Sequence, residues 1–504
     1  MIIQYDRPDS LRRVIREDPK FLIALMVLAT LAFVVATSSW PIGEGRDFSR
    51  YMNSTVLDRM SDDGMFTIFL LRLLLKGGYW FIEFFMCCGY LLSVFAIYYV
   101  GCLFGRTIAR IVALTAVLDL QIPTFLNFLS SDPFTFIGFN IWLIVVVRAY
   151  HLPNIYLSGA LMGAASFMLA TIRPVNQLFV IISLLFIVCF GLSSRTIRHA
   201  LMVFSVFALG ILLYSYSNYV NFGFFSVASL KGLPVYNFFY FNKTMSPSNG
   251  PASARLAELV EQHLLSQPAY KDYGITLEKF FASRHKKFCQ DLFILTSRYA
   301  PGLLEQAYWE SFVRHPKPFL RVVYNLAEWG LTHTYNPELN AQCLPPPPTR
   351  GDASTSAPEP APQKLPGNHY SIVDVQQSPL PPEVVKQLDD LANSTTRMMR
   401  SVPPSCATAE FLKRYLLDLH VMGYFWLLTL PLLGMVRVVE FRLLLCLLVP
   451  GGAVSLVSLI SQSPFVEYRM PFDFLFILSG VLGLTVLLGK ARQLFLPHRV
   501  PEAR

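Results

Sequence analysis

Apolar runs long enough to cross a bilayer recur along the chain, near residues 21–39, 79–104, 107–127, 134–150, 155–171, 175–193, 199–217, 419–436, 443–461 and 471–489. A helix needs about 20 apolar residues to traverse hydrocarbon. The pattern therefore predicts an all-α polytopic membrane protein with about ten transmembrane helices. The first run has twenty residues before it and no small-residue cleavage site after it, and further spans succeed it, so it reads as a retained helix.

Two stretches depart from this rhythm. Met65 to Leu75, MFTIFLLRLLL, is apolar but too short to span, and Arg72 and Lys76 flank it at headgroup height. It reads as an interfacial helix lying in the membrane plane within the first loop. Residues 218–418 form a hydrophilic excursion with helical patterning at Ala252 to Leu265, Leu277 to Thr296, Leu303 to Trp329 and Pro382 to Arg400. Inside it, the Pro-rich segment 344–366 lacks the side chains to bury a core and reads as a linker. Three regions result: a membrane core at 1–217 with its first loop at 40–78, the mainly helical excursion at 218–418, and the last spans with a basic tail at 419–504.

Composition narrows the class. Apolar residues make up 53% of the 504 and charged residues only 15%, so lipid is the main solvent. The net charge of +9 would raise nucleic acid in a soluble chain. Here the basic residues occupy short loops and termini, where they act as topology signals, and nucleic acid is set aside in favour of membrane lipids. Arg7, Arg12, Arg13, Arg16 and Lys20 precede the first span, and Arg106, Arg148, Arg195, Arg198, Arg437, Arg442 and Lys490 flank alternate span ends. With an even number of spans all fall on the cytoplasmic side. The loops at 40–78, 128–133, 172–174 and 462–470 and the excursion then face outward. Of the eight cysteines, Cys87, Cys88, Cys102, Cys189 and Cys446 lie in apolar runs and pack as small hydrophobes. No Cys/His spacing marks a metal site, so no cofactor is required, although a divalent metal stays open.

Ionisable residues at a membrane boundary are costly unless they have partners or a task. The outward loops carry four such clusters: GRDFSRYMN at Gly45 to Asn53, SSDPF at Ser130 to Phe134, TIRPVN at Thr171 to Asn176, and EYRMPFDF at Glu467 to Phe474. Each has a structural alternative. Asp47 can cap the helix after it, Asp132 before Pro133 can serve as an N-cap, Arg173 can snorkel to the interface, and Arg469 can pair with Glu467 or Asp473. The Asp62–Asp63 doublet reads as a solvated loop, and His315 before Pro316 as a helix break.

The clusters together resemble the GT-C glycosyltransferases, which use polyprenyl-phosphate sugars, and most nearly their bacterial protein mannosyltransferase and aminoarabinose transferase members. The resemblance lies in Asp47, Phe48 and Tyr51 of the first loop, the in-plane helix, the Thr171-x-Arg173-Pro174 turn and Tyr468-Arg469-x-Pro471. It implies Asp47 as the general base, with Asp132 as a second candidate, Arg469 and Arg173 at the donor phosphate, and Tyr51 and Tyr468 at the substrate. It also implies a polyprenyl-phosphate-linked sugar donor, a glycan, lipid or protein acceptor, and a site on the extracytoplasmic face of a bacterial inner (plasma) membrane. Two features depart from the family pattern: Phe48 stands where an acid often follows the Asp, and the excursion lies between the seventh and eighth spans. An O-antigen polymerase or ligase, and a transporter, remain alternatives.

Overall fold

The computed structural model describes residues 15–39, 42–44, 48–53, 64–222, 225–227, 244–282, 302–332, 382–401, 439–461 and 466–495, together with 288, 291–292, 295–296 and 299–300. The membrane part runs α1 (Pro19–Ser39), β1 (Gly43–Glu44), α2 (Phe48–Asn53), α3 (Met65–Gly101), α4 (Arg106–Leu118), α5 (Gln121–Phe125), β2 (Phe128–Leu129), α6 (Ser131–Tyr150) and α7 (Ile155–Ile172). A 3-10 turn at Pro174–Val180 leads into α8 (Ile181–Phe190) and α9 (Ser194–Phe222). The excursion contributes α10 (Pro251–Val260), α11 (Leu303–Arg314), α12 (Pro316–Thr332) and α13 (Pro382–Ser401), and α14 (Val439–Ser461) and α15 (Asp473–Phe495) complete the bundle.

Among the described residues seven helices are long and apolar enough to cross a membrane. They coincide with seven of the ten expected runs, and the architecture is that of an all-α membrane protein. The run at 419–436 and the linker 344–366 lie outside the described residues. The two remaining runs form shorter helices. At 107–127 the chain breaks after the 13 residues of α4, because the Asp119 carboxylate accepts from the Gln121 amide at 3.3 Å and folds the backbone into a turn. At 175–193 the residues after Pro174 wind first as a 3-10 turn, and α8 keeps 10 residues.

Exposed apolar side chains cover the outside of the bundle, among them Trp80, Phe84, Val188 and Leu213, each more than 60% exposed. A patch of that extent suits lipid and not water. Inside, the first half of α15 is buried, with Phe474 through Leu478 fully enclosed. Phe139 of α6 packs on Phe472 at 4.8 Å and on Trp142 at 5.6 Å, and the Trp142 indole donates to Ser166 Oγ at 2.9 Å.

α3 is two helices joined at a break. Gly78 has φ 74° and ψ −176°, a conformation essentially confined to glycine. It separates the arm Met65–Gly77, which contains the expected in-plane segment, from the long apolar helix that follows. The excursion has its own core around Leu256, Val260, Phe280 and Tyr308. Glu310 stitches it together by accepting from the amides of Ala252 and Ser253 at 2.9 and 2.7 Å, capping α10 from a neighbouring helix. The expected break at His315 separates α11 from α12.

The helix ends sort into two groups. Backbone pairing of Gly43 with Phe128 and of Glu44 with Leu129 brings the first loop to the start of α6. Thr67 Oγ1 donates to Ile172 O at 2.7 Å, and the Met65 amide to the Tyr214 hydroxyl at 3.1 Å, drawing the α3 arm to the ends of α7 and α9. Gly64 is required there, since a Cβ would stand 2.1 Å from the Ile172 carbonyl oxygen. At the opposite end Arg110 holds Asp18 in a two-pronged pair at 2.8 Å, and Arg106 pairs with Glu17. Described residues of the four loops thus come together at one end, Tyr468 of the last loop lying against Arg173, and Arg106 and Arg110 of α4 lie at the other.

Candidate functional site

The site end is built from helix termini, each set by local sequence. Ser130 is the N-cap of α6, its hydroxyl accepting from the Asp132 amide at 3.3 Å, and Pro133 fits the first turn. This corrects the expectation that Asp132 itself caps the helix. With Ser130 in that role, the Asp132 carboxylate reaches Arg173. Arg173 is where α7 stops, because a residue before proline is pushed out of the helical region, and its φ of −146° and ψ of 128° are extended. Its guanidinium hydrogen-bonds Asp132 Oδ1, with the side chains 10% and 14% exposed. The same guanidinium lies over the Tyr468 ring, 4.4 Å from its centroid. Asp132, Arg173 and Tyr468, read separately from three loops, therefore meet in one carboxylate–guanidinium–aromatic stack.

Tyr51 stands beside it. Its hydroxyl donates to Ser131 Oγ at 3.1 Å, and the residue is only 2% exposed, so it touches the α6 start through its hydroxyl while its ring is enclosed. Asp47 lies outside the described residues, as do Asp62 and Asp63; the described residues nearest to it in the chain are Glu44 of β1 and the fully buried Phe48. Arg72 donates to Met52 O at 3.1 Å and secures α2, whose end leaves carbonyls that need donors.

Arg469 follows Tyr468 in the chain but engages other groups. It is fully buried, with Nε and Nη2 on the two oxygens of Asp473 at 2.8 and 3.1 Å, and Nη1 on the Gly330 carbonyl at 3.2 Å. A fork-to-fork pair at i, i+4 is the bridging arrangement, and it also docks α12 of the excursion on the membrane bundle. Asp119, which sequence reading passed over inside an apolar run, lies near enough to feel both Asp473 and Arg469 electrostatically. Its Oδ1 bonds Gln121 while Oδ2 is enclosed without a hydrogen-bond partner among the described residues. Pro123, four residues on, is the signal that the run could not be one continuous helix.

The arrangement offers a pre-formed cation backed by a carboxylate and an aromatic face at a helix N-terminus, where partial positive charge favours anions. No group of three or more metal-ligating side chains occurs among the described residues. No protein-family model, curated protein or solved structure matches this chain, so its function is argued from the geometry of this site.

Proposed function

We propose that the chain is a glycosyltransferase of GT-C type, moving a sugar from a polyprenyl-phosphate donor to a glycan, lipid or protein acceptor at the extracytoplasmic face of a bacterial inner membrane. The observation that supports it is the meeting of Asp132, Arg173 and Tyr468 at the end of the bundle away from its basic loops. The full proposal counts about ten spans, both termini in the cytoplasm, and the arm before Gly78 in the membrane plane.

Arg173 is the arginine best disposed toward a donor phosphate, since Arg469 is committed to Asp473. Phosphate oxygens suit the guanidinium fork. As they displace Asp132 from it, the freed carboxylate becomes available to accept the proton of the acceptor hydroxyl. That oxygen attacks the anomeric carbon, the bond to phosphate breaks, and the lipid phosphate leaves with its electron pair while Arg173 balances the added charge. Asp47, from the neighbouring loop, is the second carboxylate in the same role, and the Tyr468 ring supplies a face for the sugar.

The test is transfer of radiolabelled sugar from a panel of polyprenyl-phosphate donors by purified protein in nanodiscs, with Asp47→Asn and Asp132→Asn compared. Loss of a general base costs about 100- to 10,000-fold, so one variant should fall by that much while remaining folded at the assay temperature. Wild-type protein that transfers from no donor in the panel sinks the proposal. A transporter reading draws on Asp473 and Arg469 buried within the bundle and on the enclosed Oδ2 of Asp119, since ionisable groups inside a membrane bundle mark ion paths. Uptake of labelled solute into liposomes by protein inactive in transfer would favour it.

A further inference from the structure

At the end of the bundle opposite Asp132, α6 and α8 stop at Tyr150 and Phe190, while α7, α9 and α14 begin at Ile155, Ser194 and Val439. Between these ends lies a cavity of about 530 Å³. One wall is polar: His151, Ser158, Arg195, Thr196 and His199, with Glu440 the one carboxylate among the described lining residues. His199 is 8% exposed, shares a 2.9 Å hydrogen bond with Ser158 Oγ through Nε2, and rests edge-on against Phe186 with centroids 4.8 Å apart. Its Nδ1 makes no hydrogen bond among the described residues, and the side chain lines the cavity. Arg195 is exposed and makes no ion pair among the described residues.

The other wall is apolar, with Phe186, Phe190 and Leu443. Leu157, next to Ser158 in the chain, and Leu192, two residues after Phe190, are 50% and 80% exposed. A buried imidazole and an exposed guanidinium with no ion pair among the described residues favour an anion with several acceptor oxygens. An apolar wall with exposed leucines near the cavity residues in the chain favours one attached to an acyl chain.

We propose that this cavity binds a phosphate-bearing ligand, with Arg195 clamping the phosphate, His199 Nδ1 touching it, and the Phe186–Phe190 wall holding an acyl chain, a lipid headgroup being the source the apolar wall favours. It stands apart from the proposed glycosyl transfer and needs none of that site's residues.

The experiment uses purified full-length protein, titrated with phosphatidic acid in detergent and followed by native mass spectrometry, with diacylglycerol as the phosphate-free arm and inorganic phosphate as the lipid-free arm. Arg195→Glu is compared with Arg198→Glu, an exposed arginine of the same helix that does not line the cavity. Loss of a charge-assisted contact should weaken phosphatidic acid by about 10-fold or more in Arg195→Glu, with Arg198→Glu within about twofold of wild type and diacylglycerol not retained. His199→Leu should lower retention in the same direction. Inorganic phosphate that binds with the same dependence on Arg195, without retention of phosphatidic acid, overturns the lipid source and assigns a soluble phosphate compound. Equal losses in both arginine variants, or no loss in either, overturn the site.

Discussion

Removing one member of the Asp132–Arg173 pair tests whether the site is held ready or merely decorated with charge. The two side chains are 10% and 14% exposed, closer to a buried pair than to a surface one. Stripping the partner from a buried ion costs about 3–5 kcal/mol, against about 0–1 kcal/mol at an exposed bridge. The remaining access to solvent argues for the lower end, about 3 kcal/mol, for Asp132→Asn. Arg173→Met also forfeits the stack on Tyr468, adding roughly 0.5–2 kcal/mol. In the double variant neither member of the pair stays charged, so its cost should fall well short of the sum, with a coupling energy of about 2 kcal/mol. Arg173→Lys keeps the charge but loses the fork and should fall between wild type and Met. Unfolding free energies from SDS titration in mixed micelles, for the four corners of the cycle, give the coupling directly. A coupling below about 0.5 kcal/mol would show a solvated bridge, and Arg173 would then lose its standing as a preorganised phosphate contact.

Two further outcomes follow from the fold. Gly78→Ala places a Cβ in a backbone region reserved for glycine, and although nothing crowds that Cβ, strain of about 1–3 kcal/mol should appear as a lower melting temperature; an unchanged melt would mean the break can move along α3. At the opposite end, hydrogen bonding from Arg110 holds the Asp18 carboxyl below its ordinary range, burial opposing it and the Tyr98 hydroxyl assisting. A depressed carboxyl stabilises the fold above its unfolded pKa of about 3.9 and loses that contribution as pH falls through the folded value. Wild-type stability should therefore decline as pH drops below about 4, with a flatter decline in Asp18→Asn; parallel curves would refute the linkage.

Much of this was legible in the sequence, because a bilayer leaves few solutions: length and hydropathy find helices whatever their neighbours. The helix breaks at Arg173 and His315 were readable for the same reason, since proline acts on the residue before it. Asp119 was not, because one acid in an apolar run does not lower a window average enough to divide it. Partner choice was also beyond one-dimensional reading. Arg469 has Asp473 four residues ahead, a spacing that permits a bridge but leaves open whether the guanidinium stays free for a ligand. The pairing of Asp132 with Arg173 spans 41 residues and depends on Ser130 taking the capping role, which only three-dimensional packing decides.

The two-residue ladder of Gly43–Glu44 with Phe128–Leu129 uses main-chain groups alone to fasten the first loop. Such a fastening is indifferent to composition and sensitive to length. Ser130 and Ser131 are the only residues between the ladder and Asp132, so a substitution in the ladder leaves the reach of that carboxylate intact. One inserted residue would turn the start of α6 by about 100° and carry Asp132 away from Arg173. The connection behaves as a ruler, and a lineage of such proteins would be free to vary its letters while keeping its count.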